Sequence, residues 1–219
     1  MDLSPLWITL KVSVTATVFT ILLGTAFAKL ISGMGCGKFL FDTLLSFPLV
    51  LPPTVVGFFL LILFGQNSAF GRFLASLGVS VIFTWKGAVI AGVVVSFPVM
   101  YRTARGAFEQ MDTELIDAAK TLGFSGPLLF FKVWLPLSFP GLVAGGMLAF
   151  ARVLGEFGAT IMIAGNLPGR TRTMSIAVYT AMQSGNREQA FQWVAIILVL
   201  SFMMLLCLNY WSSKQYTKE

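Results

Sequence analysis

Five apolar runs, each close to the ~20 residues that a helix needs to cross the hydrocarbon core of a bilayer, constrain this chain of 219 residues more than any other feature. Their approximate limits are Leu6 to Ala28, Leu44 to Phe64, Val81 to Met100, Leu142 to Ala164 and Trp193 to Tyr210. Within lipid every backbone polar group must be satisfied internally, which favours helices. We therefore predict an all-α integral membrane fold of about five transmembrane helices, in a single domain covering residues 1–219.

The composition excludes a soluble protein and a nucleic-acid binder. Hydrophobic residues make up 57% of the chain and charged residues only 11%, whereas soluble domains carry roughly 25% charged residues. The 15 Lys and Arg residues give a net charge of +6, but they are scattered between the apolar runs and form no basic patch. Membrane lipid is the expected surrounding, and no nucleic-acid partner is expected.

The sequence offers no residues for metal or nucleotide chemistry. It has no His, and its two cysteines, Cys36 and Cys207, have no metal-ligand spacing and are expected near the reducing cytoplasm, without a disulfide. The segment from Ser32 to Phe39 resembles a phosphate-binding loop but lacks the leading Gly, and Phe39 replaces the Ser or Thr that contacts magnesium. We predict no metal site, no catalytic residues and no cofactor bound by this chain, which is not an enzyme by itself.

Basic residues in the loops predict the orientation, because Lys and Arg are enriched on the cytoplasmic side. With the N-terminus outside, the inner segments carry Lys29, Lys38, Arg102, Arg105, Lys120, Lys132, Lys214 and Lys218, and the outer segments carry Arg72, Lys86, Arg170, Arg172 and Arg187. An odd number of spans then places the C-terminus and the long segment between the third and fourth runs in the cytoplasm.

That long segment, about residues 106–140, contains strong helix signals. Asp112 is a typical N-cap, Glu114 lies in the first turn, Asp117 follows, and Gly123 is a typical stop. A second helix is predicted to begin at Ser125 or Gly126 with Pro127 in its first turn, and to end where Pro136 and Pro140 break it.

The same segment resembles the cytoplasmic signature of the membrane-spanning subunits of type I ABC importers: Glu-Ala-Ala, three residues, Gly, nine residues, then Ile-x-Leu-Pro. Here Asp117-Ala118-Ala119 is followed at the same spacing by Gly123 and by Val133-Trp134-Leu135-Pro136. The resemblance implies that this helix docks on an ATPase subunit. The implied ATPase-coupling residues are Glu114, Asp117, Ala118, Ala119, Lys120, Gly123, Leu135 and Pro136. From the residues alone, an amphipathic helix lying on the membrane surface is the alternative.

Charges and prolines inside the apolar runs are candidates for a translocation pathway. Arg152 and Glu156 lie four residues apart in the fourth run, where they form either a structural ion pair or part of a route for an anion. Prolines in the second run, and Ser96-Phe97-Pro98 in the third, predict broken helices that line a pathway or architectural kinks. The candidate pathway residues are Pro48, Pro52, Pro53, Thr54, Ser96, Arg152, Gly155, Glu156 and Gly158.

Three segments, PLVLPPTVVGFFLL, AFARVLGEFGAT and NLPGRTRT, look like molybdate or tungstate permease subunits within the type I class. The resemblance implies a multi-pass protein of the cell (inner) membrane that forms a homodimer. It also implies two cytoplasmic ATPase subunits that bind ATP and Mg, and a periplasmic or surface-anchored protein that delivers molybdate or tungstate. A sulfate or thiosulfate permease is a close alternative, and a stand-alone channel or secondary anion carrier is an alternative of another class.

Overall fold

The computed structural model describes residues 2–35 and 37–216, with side chains up to Tyr210, and these residues fold into helices joined by short connections. Eleven α-helices lie in the described part of the chain: α1 (Ser4–Ser32), α2 (Lys38–Ser46), α3 (Pro53–Phe64), α4 (Ala69–Ser76), α5 (Trp85–Glu109), α6 (Thr113–Thr121), α7 (Gly126–Leu129), α8 (Leu135–Leu154), α9 (Gly158–Ala164), α10 (Met174–Gln183) and α11 (Arg187–Tyr216). Cys36 and Lys218, which were predicted to face the cytoplasm, lie outside the described residues, as does the side chain of Lys214.

Up to five of these helical stretches can cross a membrane, as predicted. Four are long and apolar enough by themselves: Ser4–Ser32, Trp85–Glu109, Gly126–Leu154 and Arg187–Tyr210. The fifth is a helix pair, Lys38–Leu49 and Pro53–Phe64, that is bent by 105° at the break between its two halves. The break that the prolines predict in the second run is therefore present.

The break in this second span follows from its sequence. α2 passes into a short 3-10 helix, Phe47–Leu49, which contains Pro48. Pro52 is the extended N-cap of α3, with ψ of 134°, and Pro53 is the first residue of that helix. A proline has no N–H to donate and disfavours helical backbone in the residue before it. Two consecutive prolines therefore end one helix and begin the next.

The predicted stop at Pro136 and Pro140 is wrong. α7, a π-helical segment over Phe130–Trp134 and α8 form one continuous helical stretch from Gly126 to Leu154. The N–H of Leu135 bonds to the carbonyl of Phe130, five residues back. This wider turn lies directly before Pro136 and accommodates the proline ring, so that the helix continues.

The predicted fourth span from Leu142 to Ala164 is also displaced. The helix ends at Leu154, Gly155 is its C-cap, and the separate short helix α9 follows. α5, in contrast, is helical through Pro98 to Glu109, so of the two interpretations of the third span a helix break is wrong, whereas a kink is compatible with the continuous helix.

The core forms where α1, α5 and α8 pack together, and α3 with α9 extends it at one end. At the other end, Lys29 near the end of α1 lies 2.9 Å from the ring centroid of Trp134, and Lys38 of α2 pairs with Glu109 of α5. We call this end, which carries α6, the α6 end. The start of α1 marks the opposite end, where the Thr9 hydroxyl accepts a hydrogen bond from the N–H of Met174 at the start of α10.

Candidate functional site

α6 is built as its sequence predicts. The Asp112 carboxylate accepts a hydrogen bond of 2.8 Å from the N–H of Glu114, and this capping interaction starts the helix. At the other end Gly123 has a φ of 86°, and the N–H of Phe124 bonds to the carbonyl of Ala119. This is a glycine stop that an L-residue adopts only with strain.

The faces of α6 have different surroundings. Ile116 and Ala119 are buried against the chain's own body. Ala118 is exposed, together with Leu115 and Leu122, whose exposures are 53% and 79%. These three residues follow a spacing of three and four along the helix, so they form one apolar stripe that the described chain leaves uncovered.

The charged residues among the predicted coupling residues flank this stripe on α6. Glu114 is exposed, and Lys120 pairs with Asp117 at 2.8 Å in an exposed ion pair. Leu135 and Pro136 lie elsewhere, in the first turn of α8. Trp134, which directly precedes them, packs edge-to-face on Phe108 near the end of α5, with ring centroids 5.5 Å apart. The predicted set is therefore divided between the α6 segment and the first turn of α8.

The break inside the second span meets the break between α8 and α9. A side-chain carbon added to Gly158 would lie 3.1 Å from both the Pro53 ring and the backbone nitrogen of Thr54. One turn further, a carbon added to Gly57 would lie 2.8 Å from the backbone of Ala159. Glycine at both positions therefore allows α3 and α9 to touch backbone to backbone.

Arg152 and Glu156 join this meeting point, but not as two residues on one helix face. The helix ends between them, at Leu154, and Glu156 lies in the break. One Glu156 oxygen accepts 2.7 Å from Arg152, and the other accepts 2.8 Å from the N–H of Ala159 in the first turn of α9. The Glu156 side chain is 2% exposed, whereas that of Arg152 is 34% exposed. The pair therefore connects the two helices across the break.

The other predicted pathway residues are not all brought together. Ser96 is buried at the contact of α1 with α5, where its hydroxyl shares a hydrogen bond of 2.9 Å with Thr20. Pro48 lies in the 3-10 turn before the break. Gly155 is an exposed C-cap, and no other helix among the described residues packs against its α-carbon.

A polar cluster at the α6 end was not predicted as a unit. Asp42 of α2 accepts hydrogen bonds from both Tyr101 and Arg105 of α5, and Arg105 also pairs with Glu109 at 2.8 Å. Glu109 in turn pairs with Lys38 at 3.1 Å. Lys38, Asp42, Arg105 and Glu109 are charged, and the ion pairs between them connect α2 to α5. Only the i, i+4 spacing of Arg105 and Glu109 is visible in sequence.

A bundle with up to five membrane-crossing helical stretches, one of them broken, and one largely exposed helix between spans defines a polytopic membrane protein. The chain belongs to the family described as binding-protein-dependent transport system inner membrane component, whose profile matches residues 11–214.

Relatives in this family resemble the chain over most of its length. It is 43% identical to the molybdenum transport system permease protein ModB of Escherichia coli K12, over 94% of this chain and 91% of that protein. It is 40% identical to ModB of Haemophilus influenzae, over 100% of this chain and 96% of that protein. It is 35% identical to the sulfate transport system permease protein CysT of Escherichia coli K12, over 92% and 73% respectively.

Solved structures show the same fold at low identity. A bacterial ABC transporter involved in alginate import matches with a TM-score of 0.79 and 13% identity, over 97% of this chain and 79% of that one. The MetNI methionine ABC transporter, in inward-facing conformations, matches with a TM-score of 0.68 and 17% identity, over 94% and 92%. The fold is thus that of ABC importer permeases.

Proposed function

We propose that this chain is the membrane-spanning permease subunit of an ATP-driven importer of molybdate or tungstate. The observation that carries the transport role is the uncovered stripe of Leu115, Ala118 and Leu122 on α6, held between two membrane-spanning helices. The oxyanion is proposed from the ModB relatives at 40% and 43% identity over nearly full length.

The proposed role of α6 is to seat in an ATPase subunit that binds ATP and Mg, since this chain carries no nucleotide-binding motif. An apolar stripe flanked by Glu114 and the Asp117–Lys120 pair suits a protein groove with a polar rim. Leu135 and Pro136 then receive the motion of the ATPase through Trp134. Two ATPase subunits and a homodimer of this chain complete the proposed assembly.

The proposed pathway runs along the contact of the broken second span with the break between α8 and α9. Pro52 and Thr54 are exposed there, Gly155 is exposed beside it at the end of α8, and Arg152 is partly exposed. Irregular backbone and a charged group at membrane depth are stable only against protein or a water-filled cavity. We infer that this surface faces a second copy of the chain across the pathway, and that Arg152 lies beside the route of the anion.

The proposed mechanism is alternating access. Closure of the ATPases moves α6 and opens the spans toward the outside, where a binding protein delivers the oxyanion; hydrolysis returns them to the inward-open state. In this scheme the chain's own residues transmit force and exclude lipid from the route. We propose that the N-terminus lies outside and the C-terminus in the cytoplasm of the inner membrane, in line with the loop charges.

The test is uptake of labelled molybdate by cells with and without this chain, repeated with excess unlabelled sulfate or tungstate. We expect chain-dependent uptake that tungstate suppresses and sulfate does not. Uptake abolished by modest sulfate would instead support a sulfate permease, the second candidate, which the 35% identity to CysT favours. No dependence on the chain would contradict both.

A further inference from the structure

A cavity of about 370 Å³ opens at the end of the bundle opposite α6, between the first turns of α1 and of α5. Three aromatic residues, Trp7, Phe83 and Trp85, form its walls, and two cations, Lys11 and Arg170, lie at its lining. Neither the coupling role of α6 nor the proposed pathway uses this cavity.

The two cations have no acidic partner among the described residues. Lys11 holds its ammonium 3.9 Å from the centroid of the Trp85 ring, a cation–π contact that turns the charge toward the cavity. Arg170 is exposed in the loop after α9 and forms no ion pair in the described part of the chain. Two cations without an acidic partner among the described residues lie beside aromatic walls. They favour a ligand that joins an anionic group to an apolar one.

The position along α1 places this cavity at the membrane boundary. Trp7 and Lys11 share an uncovered face of α1 with the exposed residues Val14 and Val18. The 29 residues of α1 span about 43 Å, so that ~7 Å at each end project beyond a hydrocarbon core of ~30 Å. Lys11 lies ~10 Å from the first residue of the helix, which is ~3 Å inside that boundary and within reach of the headgroups for a long lysine side chain. Trp7 lies at the level of the headgroups.

The backbone of Phe83 indicates that the cavity wall is held in place. Phe83 has a φ of 56°, unlike any other described residue that is not glycine. Its N–H donates a hydrogen bond of 3.0 Å to the carbonyl of Ile163, and its ring abuts Gly165 while remaining 60% exposed. Such a conformation persists only where the surroundings impose it, and it is typical of ligand sites.

We propose that this cavity binds an anionic phospholipid of the leaflet opposite α6, with the headgroup phosphate between Lys11 and Arg170. The aromatic walls contact the glycerol and the first methylene groups of the acyl chains. A lipid fits better than a free oxyanion because three aromatic rings line the cavity and the face of α1 continues as apolar surface into the membrane.

The test is native mass spectrometry of the full chain, purified with its partner subunits and incubated with equal amounts of phosphatidylglycerol and phosphatidylcholine. We expect the protein to retain phosphatidylglycerol over phosphatidylcholine by at least about tenfold. K11Q/R170Q should lose this preference, and the two single variants should each lose part of it. R72Q/K86Q, which changes two basic residues on the same side of the membrane outside the cavity lining, is the matched control and should retain it.

Two results would overturn the proposal. One is an equal preference for phosphatidylglycerol in the wild type and in K11Q/R170Q, or an equal loss in the control. The other is displacement of the bound lipid by inorganic phosphate or molybdate, which would make the cavity a site for soluble oxyanions. Measuring the single variants keeps the test decisive if the double variant folds poorly.

Discussion

At the scale of single residues, the positive φ of Gly123 should decide which residues the position tolerates, and the space around its α-carbon should not. A side-chain carbon at Gly123 or at Gly106 would meet nothing within 4 Å, but only Gly123 has a positive φ, of 86°. An alanine there is strained by about 1–2 kcal/mol, enough to shift the end of α6. We expect G123A to lower molybdate uptake several-fold at unchanged membrane insertion, while G106A leaves uptake unchanged. Equal uptake by both variants would contradict the role of the left-handed stop.

Glu156 should contribute to stability through two separate interactions. E156Q keeps an oxygen for the N–H of Ala159 but loses the charge pair with Arg152, whereas E156A loses both. Because Glu156 is buried, its removal leaves polar groups unsatisfied, at a cost of about 1–3 kcal/mol for E156A and less for E156Q.

Thermal unfolding followed by tryptophan fluorescence in detergent measures this difference. The melting temperatures should fall in the order wild type, E156Q, E156A. R152Q/E156Q should melt no lower than E156Q, because the double variant leaves no unpaired guanidinium. A melting temperature of E156A equal to that of the wild type would show that the break between α8 and α9 does not depend on this carboxylate.

At the scale of elements, adjacent alanines of α6 should separate docking from folding. Ala118 is exposed and Ala119 is buried. A118W adds bulk only where a partner would contact α6, so it should leave the melting temperature of the isolated subunit unchanged and lower copurification of the ATPase about tenfold or more. A119W should lower the melting temperature, because it overpacks the chain's own core.

The outcome that would contradict docking through the stripe is normal ATPase copurification by A118W. Loss of copurification with E114Q alone would instead assign the contact to charge. Both variants are measured beside the wild type in membranes prepared in parallel, so that differences in expression are visible.

The elements that sequence could predict are those governed by local signals. Asp112, Gly123 and Pro127 fix the start and stop of α6 and the start of α7 through backbone chemistry within a few residues, and each acts as expected. The helix end at Leu154 was missed because the apolar run continues past Gly155 to Ala164, so hydropathy marks no stop there. The passage through Pro136 was missed because a π-helical turn depends on packing, here of Phe130 and Trp134 against Phe108.

Long-range contacts show the same limit in the candidate sites. Arg152 and Glu156 could be singled out in the sequence because they are charges within an apolar run, and the ion pair between them is present. The tie between Asp42 and Arg105 joins residues far apart in sequence, and neither residue stands out until α2 and α5 are placed side by side. The separation of Ser96 from the meeting point of the breaks is likewise a consequence of packing, since sequence spacing says nothing about which spans are neighbours.

At the scale of the whole molecule, the two ends of the bundle should face opposite sides of the membrane. The loop between α10 and α11 lies at the end marked by the start of α1, because α10 begins at the Thr9 hydroxyl and Trp193 near the start of α11 packs with Met174 and Leu6. The loop between α6 and α7 lies at the α6 end. Ser184 and Ser125 are exposed residues of these two loops.

We therefore expect S184C, in a background with Cys36 and Cys207 replaced by Ser, to react with a membrane-impermeant maleimide on intact cells. S125C should react only after the membrane is permeabilised. The reason is that five crossings, including the bent pair of the second span, carry the chain from outside at α1 to the cytoplasm at the end of α11. Labelling of S125C alone on intact cells would reverse the orientation and place α6 out of reach of a cytoplasmic ATPase. Labelling of both variants on intact cells would mean that one of the five stretches does not cross the membrane.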